Sequence, residues 1–113
     1  MTFQTYTKCC LKTLSCENPD VELHCAIGLA TESGEILDAY KKSRFYGREL
    51  NKQNVKEEIG DVLWYLSILM DSVNYTLEDA MSDNINKLSK RYPSGFMDVL
   101  VRDQEKELNH IKG

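Results

Sequence analysis

Proline is scarce in this 113-residue sequence: it occurs only as Pro19 and Pro93, and the long stretch between them has none. Proline breaks helices, so that stretch is free to form long ones. Apolar runs are short. None approaches the ~18 residues that cross a bilayer, which argues against a membrane span or a membrane partner. Basic residues are outnumbered, with 14 Lys and Arg against 18 Asp and Glu and a net charge of −4. A binder of nucleic-acid polymer needs a basic face, and this balance argues against one. The opening MTFQTYTKCC lacks the basic-then-apolar order of a secretory leader, so a cytoplasmic location is expected. Alternation of apolar and polar residues between turn signals is also absent, so no sheet is predicted. Repeats and low-complexity segments are missing as well.

What remains is an all-α domain. A first helix is predicted over residues 2–16, ending in the turn Glu17-Asn18-Pro19-Asp20, where Asp20 is a natural N-cap. A second runs from Val21 to Lys42, with Lys41 and Lys42 suiting the negative end of the helix dipole. Ser43–Asn54 reads as a polar, basic loop containing Gly47. A third helix spans Asn54 to Val73, and Thr76 caps a fourth whose first turn holds Glu78 and Asp79 and which ends at Arg91-Tyr92-Pro93. The expected domain covers residues 1–96, with 97–113 a charged tail or peripheral helix of the same domain. Cys9, Cys10, Cys16 and Cys25 crowd the first quarter at spacings that match no zinc signature. They are read as free cysteines packed between helices.

The informative residues are the ones that break the helical pattern. At roughly 100° per residue, Val21, Cys25, Leu29, Ile36 and Ala39 share one face of the second helix. Glu32 falls within that face and Glu35 on its margin. On the third helix Val62, Leu66, Leu69 and Val73 form the apolar stripe, with Glu58 beside it and Asp61 on its margin. Glu57 lies further round and reads as a solvated acid. Surface acids belong opposite an apolar stripe, not next to it. Burying four like charges without compensation costs several kcal/mol per ion. A divalent cation removes that cost while keeping the oxygens as ligands. All-oxygen ligation suits Mg²⁺, Mn²⁺ or Ca²⁺ and disfavours zinc. A ferritin-like di-iron site would need two Glu-x-x-His pairs, and the sequence holds one, Glu107 with His110 in the tail, while His24 follows no acid at that spacing. Gly28, Gly34 and Gly60 lie inside predicted helices, each costing about 1 kcal/mol relative to Ala. Close helix contact and room for a ligand are both open as reasons.

The segments GLATESGEILDAYKK, EEIGDVLWYL and NINKLSKRYPSGF, taken together, resemble the MazG-like family of all-α nucleoside triphosphate pyrophosphohydrolases. The family's ExxE and ExxD motifs read here as Glu32-Ser-Gly-Glu35 and Glu58-Ile-Gly-Asp61, and the likeness covers roughly residues 1–96. It implies a four-helix-bundle-type fold and hydrolysis of a nucleoside triphosphate to monophosphate and pyrophosphate. It also implies Mg²⁺, with Mn²⁺ as the alternative, held by Glu32, Glu35, Glu58 and Asp61 as the catalytic acids. Asn84 and Lys87 would reach the phosphates, and protomers would pair as a homodimer or dimer of dimers.

The chemistry of the residues adds to this. An acidic chain repels a triphosphate unless bound metal reverses the local sign. Lys87, Arg91 and Lys56 are cations suited to the leaving pyrophosphate. Tyr65 aligns with Glu58 and Asp61, either touching ribose or phosphate or closing the core edge. Trp64 points off the main face toward a helix or subunit contact. A reading from another class is a non-catalytic helical module that senses nucleotide or metal, or that dimerises. Sibling specificities (dUTP, dCTP or phosphoribosyl-ATP) also stay open, because the Ser43–Asn54 loop does not identify a base.

Overall fold

The computed structural model describes residues 1–15 and 17–94, together with Arg102, Asp103, Glu105 and Lys106. Cys16 and most of the 97–113 tail therefore lie outside the described residues. The described chain is helical, with α1 at Phe3–Thr13, α2 at Val21–Phe45, α3 at Lys52–Ser72 and α4 at Leu77–Arg91. Each of the first three starts at a side-chain cap. Thr2 Oγ1 accepts from the Thr5 amide, Asp20 from Leu23 and Asn51 from Asn54, each at 3.1 Å. These caps satisfy amides that have no partner within the helix.

Three boundaries differ from the sequence expectation. The first helix stops at Thr13, because Leu14 already has extended backbone. The second runs on to Phe45 and is closed by Tyr46 and by Gly47 in the left-handed region (φ 65°). The third begins at Lys52, because Asn51 and not Asn54 provides the cap. Past α3, Asn74 occupies the left-handed region (φ 56°), while the Tyr75 amide donates to Met70 O and the Asn74 amide to Asp71 O. This is a Schellman closure with asparagine in the usual place of glycine.

The chain divides into two compact units, Met1–Thr76 and Leu77–Gly113. In the first, α2 and α1 both pack on α3. The centre is Cys10, Cys25 and Ile68, with Tyr6, Leu11, Leu14, Trp64, Tyr65 and Leu69 packed around it. Trp64 Nε1 donates to Thr13 Oγ1 at 2.8 Å and ties α3 to the end of α1, so it makes a helix contact. Cys10 and Cys25 are buried, and burial pushes the Cys25 thiol up, as expected for an unreactive core cysteine. Cys9 is exposed, against the expectation that the cysteines pack between helices; it lies on the outer side of α1.

The buried side of α3 is also turned from the expected stripe. Ser67, Ile68 and Met70 are buried, whereas Val73 is 51% and Leu66 36% exposed. The reason is that α3 meets two helices, so its core face is centred on Ile68 and includes the edge that carries the acids. Among the described residues no helix is long and apolar enough to cross a membrane. In the second unit, α4 begins directly after Thr76 and carries Glu78 and Asp79 in its first turn.

Ile68 is 1% exposed. Ile68→Ala is expected to destabilise the protein by about 2–5 kcal/mol in urea denaturation, the cost of a buried cavity.

Candidate metal centre

Helices α2 and α3 run antiparallel, and their contacts form a ladder. Cys25 and Ile68 share the core cluster, and the Tyr65 ring lies against Gly28. One turn beyond Gly28 and one turn before Tyr65 stand Glu32 and Asp61. One oxygen each from Glu32, Glu58 and Asp61 lie within 4.8 Å of one another. Glu32 and Glu58 are half-buried and Asp61 is exposed. Three of the four acids of the sequence motifs therefore converge. Glu35 is exposed, one turn along α2, and lines the neighbouring hollow of about 430 Å³ together with Glu58, Asn54, Lys42 and Arg48. On the other side, Glu32 and Asp61 share a hollow of about 340 Å³ with Trp64 and Tyr65.

The electrostatics show the cost of this convergence. Glu58 Oε2 is buried without a hydrogen-bond partner. The Glu58 carboxyl is raised above the ordinary glutamate value, first because Glu32 lies within hydrogen-bonding reach, then through desolvation and the charges of Glu32 and Asp61. An orphaned carboxylate oxygen between two other carboxylates matches the donor set of a hard divalent cation, which would lift that repulsion. Glu32, Glu58 and Asp61 thus fit such an ion.

Two features near the acids escaped the sequence reading. Tyr6, on α1 and packed on the core, has its phenol pushed up to about 12 by burial, then by the Cys10 thiol, and least by the Asp61 charge. Its place on the first helix was visible, but its partner was not. Lys42 and Arg48 bring positive charge to the Glu35–Glu58 hollow. Lys42 pairs with Asp38 at 2.9 Å and holds that carboxyl below its usual range. Glu57, Lys56 and His24 are exposed, as a solvated acid, a solvated base and a helix-flank residue should be. Asn84, Lys87 and Arg91 stand at i, i+3 and i+7 on one exposed stripe of α4, in the second unit.

The profile of the MazG nucleotide pyrophosphohydrolase domain matches residues 22–96, more than half of the chain. This chain belongs to the MazG family. The matched segment contains all but the first residue of α2, and α3, with all four motif acids, and α4 with Asn84, Lys87 and Arg91. Among characterised sequences, the chain is similar to the Gene 37 protein of Mycobacterium phage L5. The two are 29% identical over 86 residues, which cover 73% of this chain and 75% of that protein. No solved structure matches.

Because Glu58 holds its proton more tightly folded than unfolded, the metal-free protein gains stability from this group below the ordinary value of 4.5. That stability is lost as pH rises through the raised folded value, since the folded state then releases a proton it had favoured. In EDTA, the melting temperature of Glu58→Gln is expected to lie at or above that of the wild type at pH 7, with a flatter decline between pH 4.5 and 7. Glu78→Gln, at an exposed first-turn acid of α4, should track the wild type.

Proposed function

We propose that this protein is a metal-dependent nucleoside triphosphate pyrophosphohydrolase, converting a triphosphate and water to the monophosphate and pyrophosphate. The observation that carries the reading is the Glu32–Glu58–Asp61 cluster with its buried, unpartnered Glu58 oxygen, in a chain of this family. Mg²⁺ suits the all-oxygen donor set, with Mn²⁺ the alternative. When bound, the cation polarises the phosphoryl group and lowers the pKa of the attacking water.

The chain's own groups supply the rest. Glu32, Glu58 and Asp61 would hold the cation. Glu35 stands outside the three-oxygen cluster but shares a hollow with Glu58, so it is free to accept the proton of the attacking water. The water oxygen bonds to the α-phosphorus, the bond from that phosphorus to the α–β bridging oxygen breaks, and pyrophosphate departs with that oxygen. The family resemblance implies that Asn84 and Lys87 reach the phosphates, and Lys87 and Arg91 are cations suited to the leaving pyrophosphate. Tyr65 meets the ribose side of the substrate. Such an enzyme serves as nucleotide-pool housekeeping in the cytoplasm.

The reading includes self-association as a homodimer, alone or paired into a dimer of dimers. Leu23, Ile27, Ala30, Gly34 and Leu37 follow one another at alternating spacings of four and three along α2, and all are exposed. Leu37 is 70% exposed, and a β-carbon on Gly34 would meet open space. A seam of that period is what paired helices bury.

Incubation with a panel of canonical and modified triphosphates and Mg²⁺ is expected to yield monophosphate and pyrophosphate. EDTA should abolish the reaction, and Glu58→Gln should lower it on the order of a hundredfold or more. Release of inorganic phosphate and a nucleoside diphosphate, or turnover surviving EDTA, would contradict the proposal. By light scattering the wild type should exceed monomer mass at micromolar concentration, and Ile27→Lys combined with Leu37→Lys should shift it toward monomer.

A further inference from the structure

Of the helical glycines Gly28, Gly34 and Gly60, the last two face open space where a β-carbon would stand, whereas Gly28 faces the Tyr65 ring. The Cε1, Cδ1 and Cζ atoms of that ring lie closer to the site of the missing β-carbon than any real side chain tolerates. The backbone of a continuous helix cannot retreat from such a contact, so a β-carbon there must displace the ring. The contact lies one turn from Glu32 on α2 and one turn from Asp61 on α3, next to the metal cluster. The displaced ring is also a wall of the 340 Å³ hollow that it shares with Glu32, Asp61 and Trp64.

The same ring is fixed on its other sides. Trp64 meets it edge-on, with centroids 4.9 Å apart and planes at 88°, and Trp64 is itself held by Thr13. His24 lies 5.9 Å away. Two half-buried, mutually packed aromatic rings beside a carboxylate cluster make a surface suited to an aromatic base and its sugar.

We propose that Gly28 is a positioning residue: its bare α-carbon seats Tyr65 against α2, and that seat shapes the hollow in which the nucleoside part of the triphosphate rests on Tyr65 and Trp64. The proposal rests on the triphosphate reading above for its ligand.

Trp64 is the single tryptophan of the chain, so its emission reports on this hollow. The test uses the full chain with Mg²⁺ and two probes: non-hydrolysable α,β-imido analogues of the nucleoside triphosphates, and tripolyphosphate, which lacks a nucleoside. In the wild type the analogues should quench Trp64, and tripolyphosphate should bind without quenching. Gly28→Ala should weaken the analogues about tenfold or more, the scale of a lost stacking contact, while tripolyphosphate shifts less than about twofold. For a cleaved substrate, KM should rise with kcat largely retained. In the Tyr65→Val background, adding Gly28→Ala should change nothing further. Equal loss for both probes, unchanged analogue affinity, or additive effects of the two substitutions would overturn the proposal. Should Gly28→Ala alone fail to fold, the comparison of Tyr65→Val with the double variant decides. Equal melting and binding support the contact, and a worse double variant refutes it. Analogue binding with quenching but no turnover of any triphosphate would sink the hydrolase reading and leave this one standing, whereas tripolyphosphate binding without analogue quenching would sink this one alone.

Discussion

Three carboxylates within 4.8 Å of one another, one of them with a buried and unpartnered oxygen, form an arrangement that water-exposed acids avoid. Everything around it in the first unit serves to hold them there. Glu32 arrives on a helix capped at Asp20, and Glu58 and Asp61 arrive on one capped at Asn51. Long helices make this inexpensive, because each acid sits on a rigid rung and the repulsion is carried by the packing of neighbouring rungs. The same repulsion would be relieved by a hard cation, which would turn the liability into ligation.

Along the α2–α3 seam the chemistry grades from polar to apolar within three turns. The carboxylates occupy the open end, with the Gly28–Tyr65 contact following and the buried Cys25–Ile68 region closing the seam. α1 braces the apolar half through the Trp64–Thr13 bond and reaches toward the polar half through Tyr6, whose phenol senses the Asp61 charge. The carboxylate cluster thus borrows its rigidity from a core that begins one turn away. The two hollows flanking the cluster are chemically unlike. One is walled by aromatic rings and the other carries Lys42, Arg48 and Asn54. A substrate with an apolar end and a charged end can be oriented by that difference.

Much of this was legible in the residues themselves. The cap at Asp20, the start of the fourth helix after Thr76, the helical periodicities and the misplaced acids on two apolar faces all follow from local rules, because capping and amphipathicity act within a few residues. The expected stripe of α3 was set too far toward Val62 and Val73. A periodicity reports that a face is apolar, but not which of two apolar edges a given neighbour covers. Val73 and Leu66 stayed exposed because α1 and α2 together claimed the edge around Ile68. Gly28 likewise looked no different from Gly34 and Gly60 as a letter in a helix, and only the ring of Tyr65 set it apart.

By itself, then, the sequence determined the helical class, most helix boundaries to within a few residues, and the pairing of ExxE with ExxD as the chemically unusual element. These depend on interactions between residues close in the chain or on a repeating period. The tertiary structure alone decided that Glu32, Glu58 and Asp61 meet while Glu35 faces the adjoining hollow, that Tyr65 seats on Gly28, and that Tyr6 comes near Asp61. Each of those joins residues more than twenty positions apart or selects among neighbours on one helix. Such choices are made by the angle and register at which whole helices pack, which no local rule encodes.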